Sequence, residues 1–362
     1  MKTLRTDLCE LLGIRVPILQ AGMGLVAYGE LAAAVSNAGG LGSIGAIDIP
    51  PDELEEEIRL FRRFSDKPLC VDLGFPTHAP KGLSDVKLPQ VLPGPIRQLS
   101  KELEALGVAV MASPDQAISR ADNERKLEIA LAHGVEVIAC ALGTPQWVVE
   151  ACHAQGAKVM SIVGLAKHAK SALRSGTDVI IVQGTEGGGH TGEIGLLTLL
   201  AEVLAFSTVP VVAAGGIVTG RQIAGCLVQG ASGVWMGTRF VATQESRAVA
   251  NHKAAIVEAA DDTTLRSGIF DGLPMRQLRN RFTDAWDGHY DELSPYPLQR
   301  VLMANIRYTA DQHNIKSHMN LPSGQGAGLV SDIPPAAEVL ARLVDETVAA
   351  LEAARARIRT AS

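Results

Sequence analysis

Asp178-Val-Ile-Ile-Val182 runs directly into Gln183-Gly-Thr-Glu-Gly-Gly-Gly-His-Thr-Gly-Glu193, and the join between the two decides the fold. The first part is short, β-branched and bounded by turn residues, so it reads as a strand buried on both faces, the kind found in parallel sheets. Past Gln183 the side chains thin out, with Gly184, Gly187, Gly188, Gly189 and Gly192 close together. Glycine costs conformational entropy on folding, so such a cluster marks backbone that turns sharply or lies against a ligand. One imidazole, His190, sits in its midst, with Glu186 and Glu193 beside it. The alternative is a flexible surface loop with an incidental histidine.

Working outward, the same unit recurs. Val16–Gln20, Leu41–Ala46, Pro68–Leu73, Val135–Cys140, Lys158–Ile162, Asp178–Val182, Val209–Ala214 and Gly233–Gly237 read as strands. Helical stretches fall between them: 29–37, 51–64, 96–106, 123–133, 145–155, 165–175, 197–206 and 221–229. Eight strands alternating with helices predict a parallel sheet, and the unit count and length are those of a TIM (β/α)8 barrel. A doubly wound open sheet is the alternative. Its GxGxxG fingerprint is absent, because Gly22-Met-Gly24 is followed by Leu-Val-Ala. Residues 75–95 carry five prolines and little periodicity, so they read as a long loop, a candidate lid. Residues 1–260 are assigned to the barrel. Residues 261–362 are assigned to a mostly helical C-terminal appendage that covers one barrel mouth or makes a subunit contact, with a homodimer as one expectation. A final amphipathic helix is expected from Pro335 to about Arg357.

Composition narrows the function. A net charge of −6 leaves no electrostatic footprint for nucleic acid. No apolar run is long enough to cross a bilayer, and the N-terminus lacks a signal peptide's apolar core. Cys9, Cys70, Cys140, Cys152 and Cys226 are scattered without a CxxC, which suits buried free thiols in a reducing, cytoplasmic setting and gives no metal site.

Active sites of such barrels lie at the C-terminal strand ends. Special residues gather there: Gly22-Met23-Gly24, Gln183 to His190, Gly215-Gly216, and Gly237-Thr238-Arg239. Glycines after the last two strands expose amides, and helices expected to begin near Thr219 or Thr243 would add their positive ends, a phosphate-binding arrangement. No P-loop accompanies it, so the phosphate belongs to a cofactor. Histidine is the residue type whose unperturbed pKa lies near 6.5, so the imidazole of His190 is a candidate to give or take a proton.

Several segments carry a resemblance: Gln20-Ala-Gly-Met23, Leu31-Ala-Ala-Ala-Val-Ser-Asn-Ala-Gly-Gly-Leu-Gly42, Val182-Gln-Gly-Thr-Glu-Gly-Gly-Gly-His-Thr-Gly192, Pro210-Val-Val-Ala-Ala-Gly-Gly-Ile217, Met236-Gly-Thr-Arg-Phe240 and Gly324-Gln-Gly-Ala-Gly-Leu329. In this order the chain resembles the nitronate monooxygenase (2-nitropropane dioxygenase-like) family of FMN-dependent TIM barrels. The resemblance implies FMN, with its phosphate on Gly215, Gly216, Gly237 and Thr238. Gly22, Met23 and Gly24 would pack against the ring, and Gln183 and Gly188 would line its other side. Asp72, Ser161, Gly189, Ala214 and Met236 complete the expected cofactor contacts. His190 would be the catalytic residue, positioning a nitronate or deprotonating the neutral nitroalkane, with O2 as co-substrate.

Three departures are visible. Gly22 stands where many nitronate oxidisers have proline, a form similar to the family's FMN-dependent enoyl-ACP reductases. Asp72 replaces an asparagine and brings a negative charge unless it is paired. Ser161-Ile162 stand where some relatives place a lysine. The segment 161–192 also resembles members acting on acyl-CoA intermediates. The alternative activity is therefore NAD(P)H-dependent reduction of an enoyl thioester or a quinone. Other residues get plain readings. His133, His153 and His168 read as surface, Cys140 as a buried thiol, and Arg276 and Arg279 as structural ion pairs rather than phosphate clamps.

Overall fold

The protein is described here from a computed structural model covering residues 3–76, 88–113 and 120–358. The expected parallel strands are all present: β1 (Ile18–Gln20), β2 (Gly42–Gly45), β3 (Leu69–Gly74), β4 (Val137–Ala141), β5 (Lys158–Val163) and β6 (Val179–Gln183). A two-residue strand, β7 (Gly189–His190), follows and leaves the barrel, which continues with β8 (Val211–Ala214) and β9 (Gly233–Met236). The order β1-β9-β8-β6-β5-β4-β3-β2 is parallel throughout. The ring closes through a parallel bridge between Leu19 and Leu41, where the Gln20 amide donates to the Leu41 carbonyl at 2.9 Å. The molecule is a TIM barrel.

Alternation along each strand separates two cores. Leu19, Cys70, Ala139, Met160, Ile181, Val212 and Trp235 fill the barrel, while Ile18, Ile180, Val182, Ala213, Val234 and Met236 face the helices. The helix Pro51–Phe64 shows the matching 3.6-residue period. Its buried Leu54, Glu57, Ile58 and Phe61 form one face. Glu57 is polar yet buried because it accepts the Gly29 amide at 2.9 Å and pairs with Arg247 at 2.6 Å, so it closes the start of the helix Gly29–Ala38.

The C-terminal stretch does two things. Thr264–Ser267 (β10) and Met275–Leu278 (β11) form an antiparallel pair, and β11 also pairs with β7. The appendage is thus helical with a small three-stranded sheet, and that sheet is hooked onto the loop leaving β6. The last helix, Ala336–Arg357, then returns to the outer ring and packs between Gly220–Gln229 and Gly29–Ala38. The expected lid at 75–95 falls largely on residues 77–87, outside the described residues; its end is the start of a helix, Gly94–Ala105.

Candidate functional site at the C-terminal mouth

Three glycine turns and one returning loop meet at the C-terminal strand ends. Gly215 and Gly216, directly after β8, have φ of +108° and +71°, which L side chains rarely adopt. They answer first to packing. A Cβ at Gly215 would lie 2.9 Å from the Gly184 carbonyl oxygen, and one at Gly216 would lie 2.9 Å from Glu186 Cβ. Glu186 in turn accepts the Leu196 amide with both carboxylate oxygens at 3.0 Å, closing the helix Leu196–Leu204. The loop around Ser323–Gly326 completes the cluster. The Gly324 amide donates to Thr238 Oγ1 at 2.9 Å, the Gln325 amide donates to the Glu186 carbonyl at 2.9 Å, and Ser323 and Gly324 sit against Gly188. Among the described residues the amides of Gly215, Gly216, Gly237 and Thr238 have no hydrogen-bond partner, so this corner offers unpaired donors suited to an anion.

The two expected helix ends differ from that reading. At Thr219 the capping box with Gln222 is formed, and the Gly220 amide donates to Glu346 Oε2 at 2.9 Å, so that end already holds a carboxylate. No helix starts at Thr243. The turn after β9 is the four-residue helix Thr238–Val241, and the Thr243 hydroxyl donates to the Phe240 carbonyl at 2.7 Å. Arg239 turns away and pairs with Asp332 at 3.0 Å.

Gly22 leaves β1 and lies directly over Asp72; a Cβ there would sit 2.3 Å from Asp72 Cβ. Met23 crosses Gly45 of β2, and its sulfur faces Gly237, where a Cβ would lie 3.4 Å away. Gly24 abuts Asp48. Gln183 ends β6 on the inward side, its amide nitrogen 3.0 Å from the Cβ position of Gly187. Ala214 is inward and buried.

Strand alternation turns two of the expected contact side chains away from the barrel interior. Met160 is in the barrel interior, so Ser161 faces the helices. Its hydroxyl accepts from Thr144 Oγ1 at 2.7 Å and donates to Thr177 Oγ1 at 2.9 Å. The Met236 side chain likewise packs in the outer layer. Asp72 is 3% exposed, no ion pair reaches it among the described residues, and burial pushes its carboxyl well above the usual carboxylate range.

His190 occupies β7, opposite Met275 of β11. Its Nε2 lies 2.8 Å from Oδ2 of Asp271, which is 2% exposed and whose other oxygen accepts the Leu273 amide at 2.9 Å. The ring of Phe270 meets the imidazole edge-on at 6.2 Å, and the Arg307 guanidinium lies over the Phe270 ring, 4.0 Å from its centroid. Arg276 donates to the Thr185 carbonyl at 3.0 Å and to Thr264 Oγ1 at 3.1 Å, so it ties the appendage to the His190 loop. Buried His252 reaches Ser323 Oγ at 3.2 Å and steadies the returning loop. Asp271, Phe270, His252 and Ser323 were not legible as site residues. Asp271 is 81 positions from His190, and an Asp-Gly pair reads only as a turn. A surface cleft of about 430 Å³ lined by Gly94, Arg97, Gln98, Lys101, Glu102 and Ala105 lies along one helix, apart from these turns.

The chain was compared with known proteins. The sequence profile described as nitronate monooxygenase matches residues 5–346. A (3aS,4S,5R,7aS)-5-hydroxy-7a-methyl-1-oxo-octahydro-1H-indene-4-carboxyl-CoA dehydrogenase of Rhodococcus jostii is 36% identical over 279 residues, covering 77% of this chain and 67% of that one. The structure of FabK from Thermotoga maritima superposes with a TM-score of 0.81 at 30% identity, covering 98% of this chain and all of that one. The nitroalkane oxidase of Streptomyces ansochromogenes gives a TM-score of 0.81 at 30% identity, covering 96% of this chain and 100% of that one. No helix among the described residues is long and apolar enough to cross a membrane. Matched by that profile over residues 5–346, the chain belongs to the nitronate monooxygenase family and is an oxidoreductase.

Proposed function

We propose that the protein binds FMN at the C-terminal mouth and oxidises alkyl nitronates with O2. The residues present fit the cofactor. The unpaired amides of Gly215, Gly216, Gly237 and Thr238 suit its phosphate, and Gly22 over the unpaired Asp72 carboxyl leaves a flat, side-chain-free wall suited to its ring. Bound FMN supplies the electron chemistry, which no side chain here can supply.

The observation that carries the reading is the His190–Asp271 pair beside those turns. Nε2 donates to the buried Asp271 carboxylate, so Nδ1 holds the lone pair of the neutral ring. Nδ1 can then take the α-proton of a neutral nitroalkane, or the protonated ring can hold a nitronate oxygen by a charge-assisted hydrogen bond. Phe270 and the appendage shield one side of the imidazole.

A second reading is NAD(P)H-dependent reduction of an enoyl thioester. The equal likeness to FabK supports it, as does the likeness to a dehydrogenase of a carboxyl-CoA substrate. Anaerobic mixing of the FMN-loaded protein separates the two. Bleaching of the flavin by a nitronate supports oxidation, whereas bleaching only by a reduced nicotinamide overturns it in favour of reduction.

A further inference from the structure

Arg266 and Arg276 stand directly opposite one another across the antiparallel pair β10–β11. Like charges in that position repel, so the register calls for a compensating charge. Sequence alone reads Arg276 as half of an ion pair, yet among the described residues no carboxylate lies within ion-pair distance of either guanidinium. Both instead hold the loop that carries His190. Arg276 Nε donates to the Thr185 carbonyl at 3.0 Å, and Arg266 donates to Thr191 Oγ1 at 3.2 Å and to the Thr191 carbonyl at 3.1 Å. One guanidinium thus grips the start of the loop and the other its end. Arg276 Nη2 and Arg266 Nη1 have no hydrogen-bond partner among the described residues, and neither nitrogen is sealed from solvent. Arg276 is also paired in register with Gly189, where a Cβ would meet nothing within 4 Å, so open space adjoins the two forks. Glu186 acts on Arg276 electrostatically, but both its oxygens are committed to the Leu196 amide. Arg276 is only 7% exposed, and a guanidinium buried to that degree without a counter-charge is costly.

Two positive charges, free N–H groups and no acid to balance them define what fits. An oxyanion of charge about −2 with several acceptor oxygens does, and a phosphate monoester is one. We propose that Arg266 and Arg276 form a second anion site, which takes the terminal phosphate monoester of a nucleotide-bearing ligand. The site is separate from the main-chain corner of Gly215, Gly216, Gly237 and Thr238. Gly189 and His190 are successive residues of one strand, so the face that pairs with Arg276 is the one turned away from the imidazole. The pair therefore holds the far end of a long ligand, not its reacting group. Two carriers present such an end: a nicotinamide dinucleotide with a 2′-phosphate, and a coenzyme A thioester with a 3′-phosphate. The inference deepens the second reading of the mouth and rests on it only for which ligand brings the phosphate.

The test is titration calorimetry on FMN-loaded protein, with two matched pairs of probes: NADP+ against NAD+, and CoA against 3′-dephospho-CoA. In wild type the phosphorylated member of one pair should bind about tenfold tighter than its counterpart, and the pair that shows it names the source. Arg266→Gln should cut that preference to within about twofold and leave the affinity for the unphosphorylated member unchanged, a split that a merely structural arginine would not produce. Arg276→Lys keeps the charge but loses the fork, so it should retain only part of the preference. No preference in either pair, or a full preference surviving in either folded variant, would overturn the proposal. If the protein does not take up FMN, the reading of the mouth falls, and the same titrations on the flavin-free protein still decide the arginine pair.

Discussion

His190 Nε2 and Asp271 Oδ2 are 2.8 Å apart, joining the loop that leaves β6 to an appendage residue whose side chain is 2% exposed. A buried carboxylate on one ring nitrogen fixes both the orientation and the tautomer of the other. Asp271→Asn should therefore lower kcat by about tenfold or more, with FMN content unchanged. His190→Ala should cost about a hundredfold. Steady-state kinetics normalised to bound flavin check both, and unchanged turnover in either variant would remove the pair from the mechanism.

The Thr219 cap tests which amides hold the phosphate. Thr219→Ala breaks a formed capping box and should cost about 1 kcal/mol of stability. Because Glu346 already occupies that helix end, FMN affinity should stay within error of wild type. A large loss of affinity in a folded Thr219→Ala protein would return the helix end to the phosphate site.

Gly215 and Gly225 make a matched contrast. Gly215→Ala meets a φ of +108° and a carbonyl 2.9 Å from the new methyl, so it should destabilise by about 1–3 kcal/mol and weaken FMN binding. Gly225 lies within the helix Gly220–Gln229 with open space at its Cβ, so Gly225→Ala should stabilise by about 0.5–1 kcal/mol. Thermal unfolding of both variants gives the answer, and equal shifts would discard the packing account of the β8 turn.

His252 sets a stability limit on the acid side. Burial pushes its pKa from 6.5 down to about 4, so the folded state keeps the ring neutral. Between those two values the unfolded chain binds the extra proton, and stability falls as pH drops from 6.5 towards 4, by about 3 kcal/mol in all. His252→Gln should flatten that part of the profile. An unaltered acid slope in chemical unfolding experiments would mean that another group is responsible.

Much of the barrel was readable because its signals are local. Each strand is a short apolar run, each outer helix has a 3.6-residue stripe, and the glycines mark strand ends. The boundaries moved little: Asp178–Val182 became Val179–Gln183, and Lys158–Ile162 became Lys158–Val163. What escaped depends on parity and distance. Ser161 sits at the expected strand but one residue out of phase with the interior, and that single step turns it toward Thr144 and Thr177. The Met236 side chain lies in the outer layer for the same reason. Thr219 looked like an open helix end, and only the fold brings Glu346 to it. Asp271, His252 and Ser323 join the site through long-range contacts that no periodicity encodes. The upward push on the Asp72 carboxyl comes from its burial, which its residue type alone does not reveal.

The central claim is that bare amides after β8 and β9 grip a flavin phosphate. The most direct measurement is the affinity of the apoprotein for FMN against that for riboflavin, which lacks the phosphate. Two or more charge-assisted amide contacts should make FMN bind about a hundredfold tighter, at one per chain. Equal affinity for the two, or binding of neither, would contradict the account.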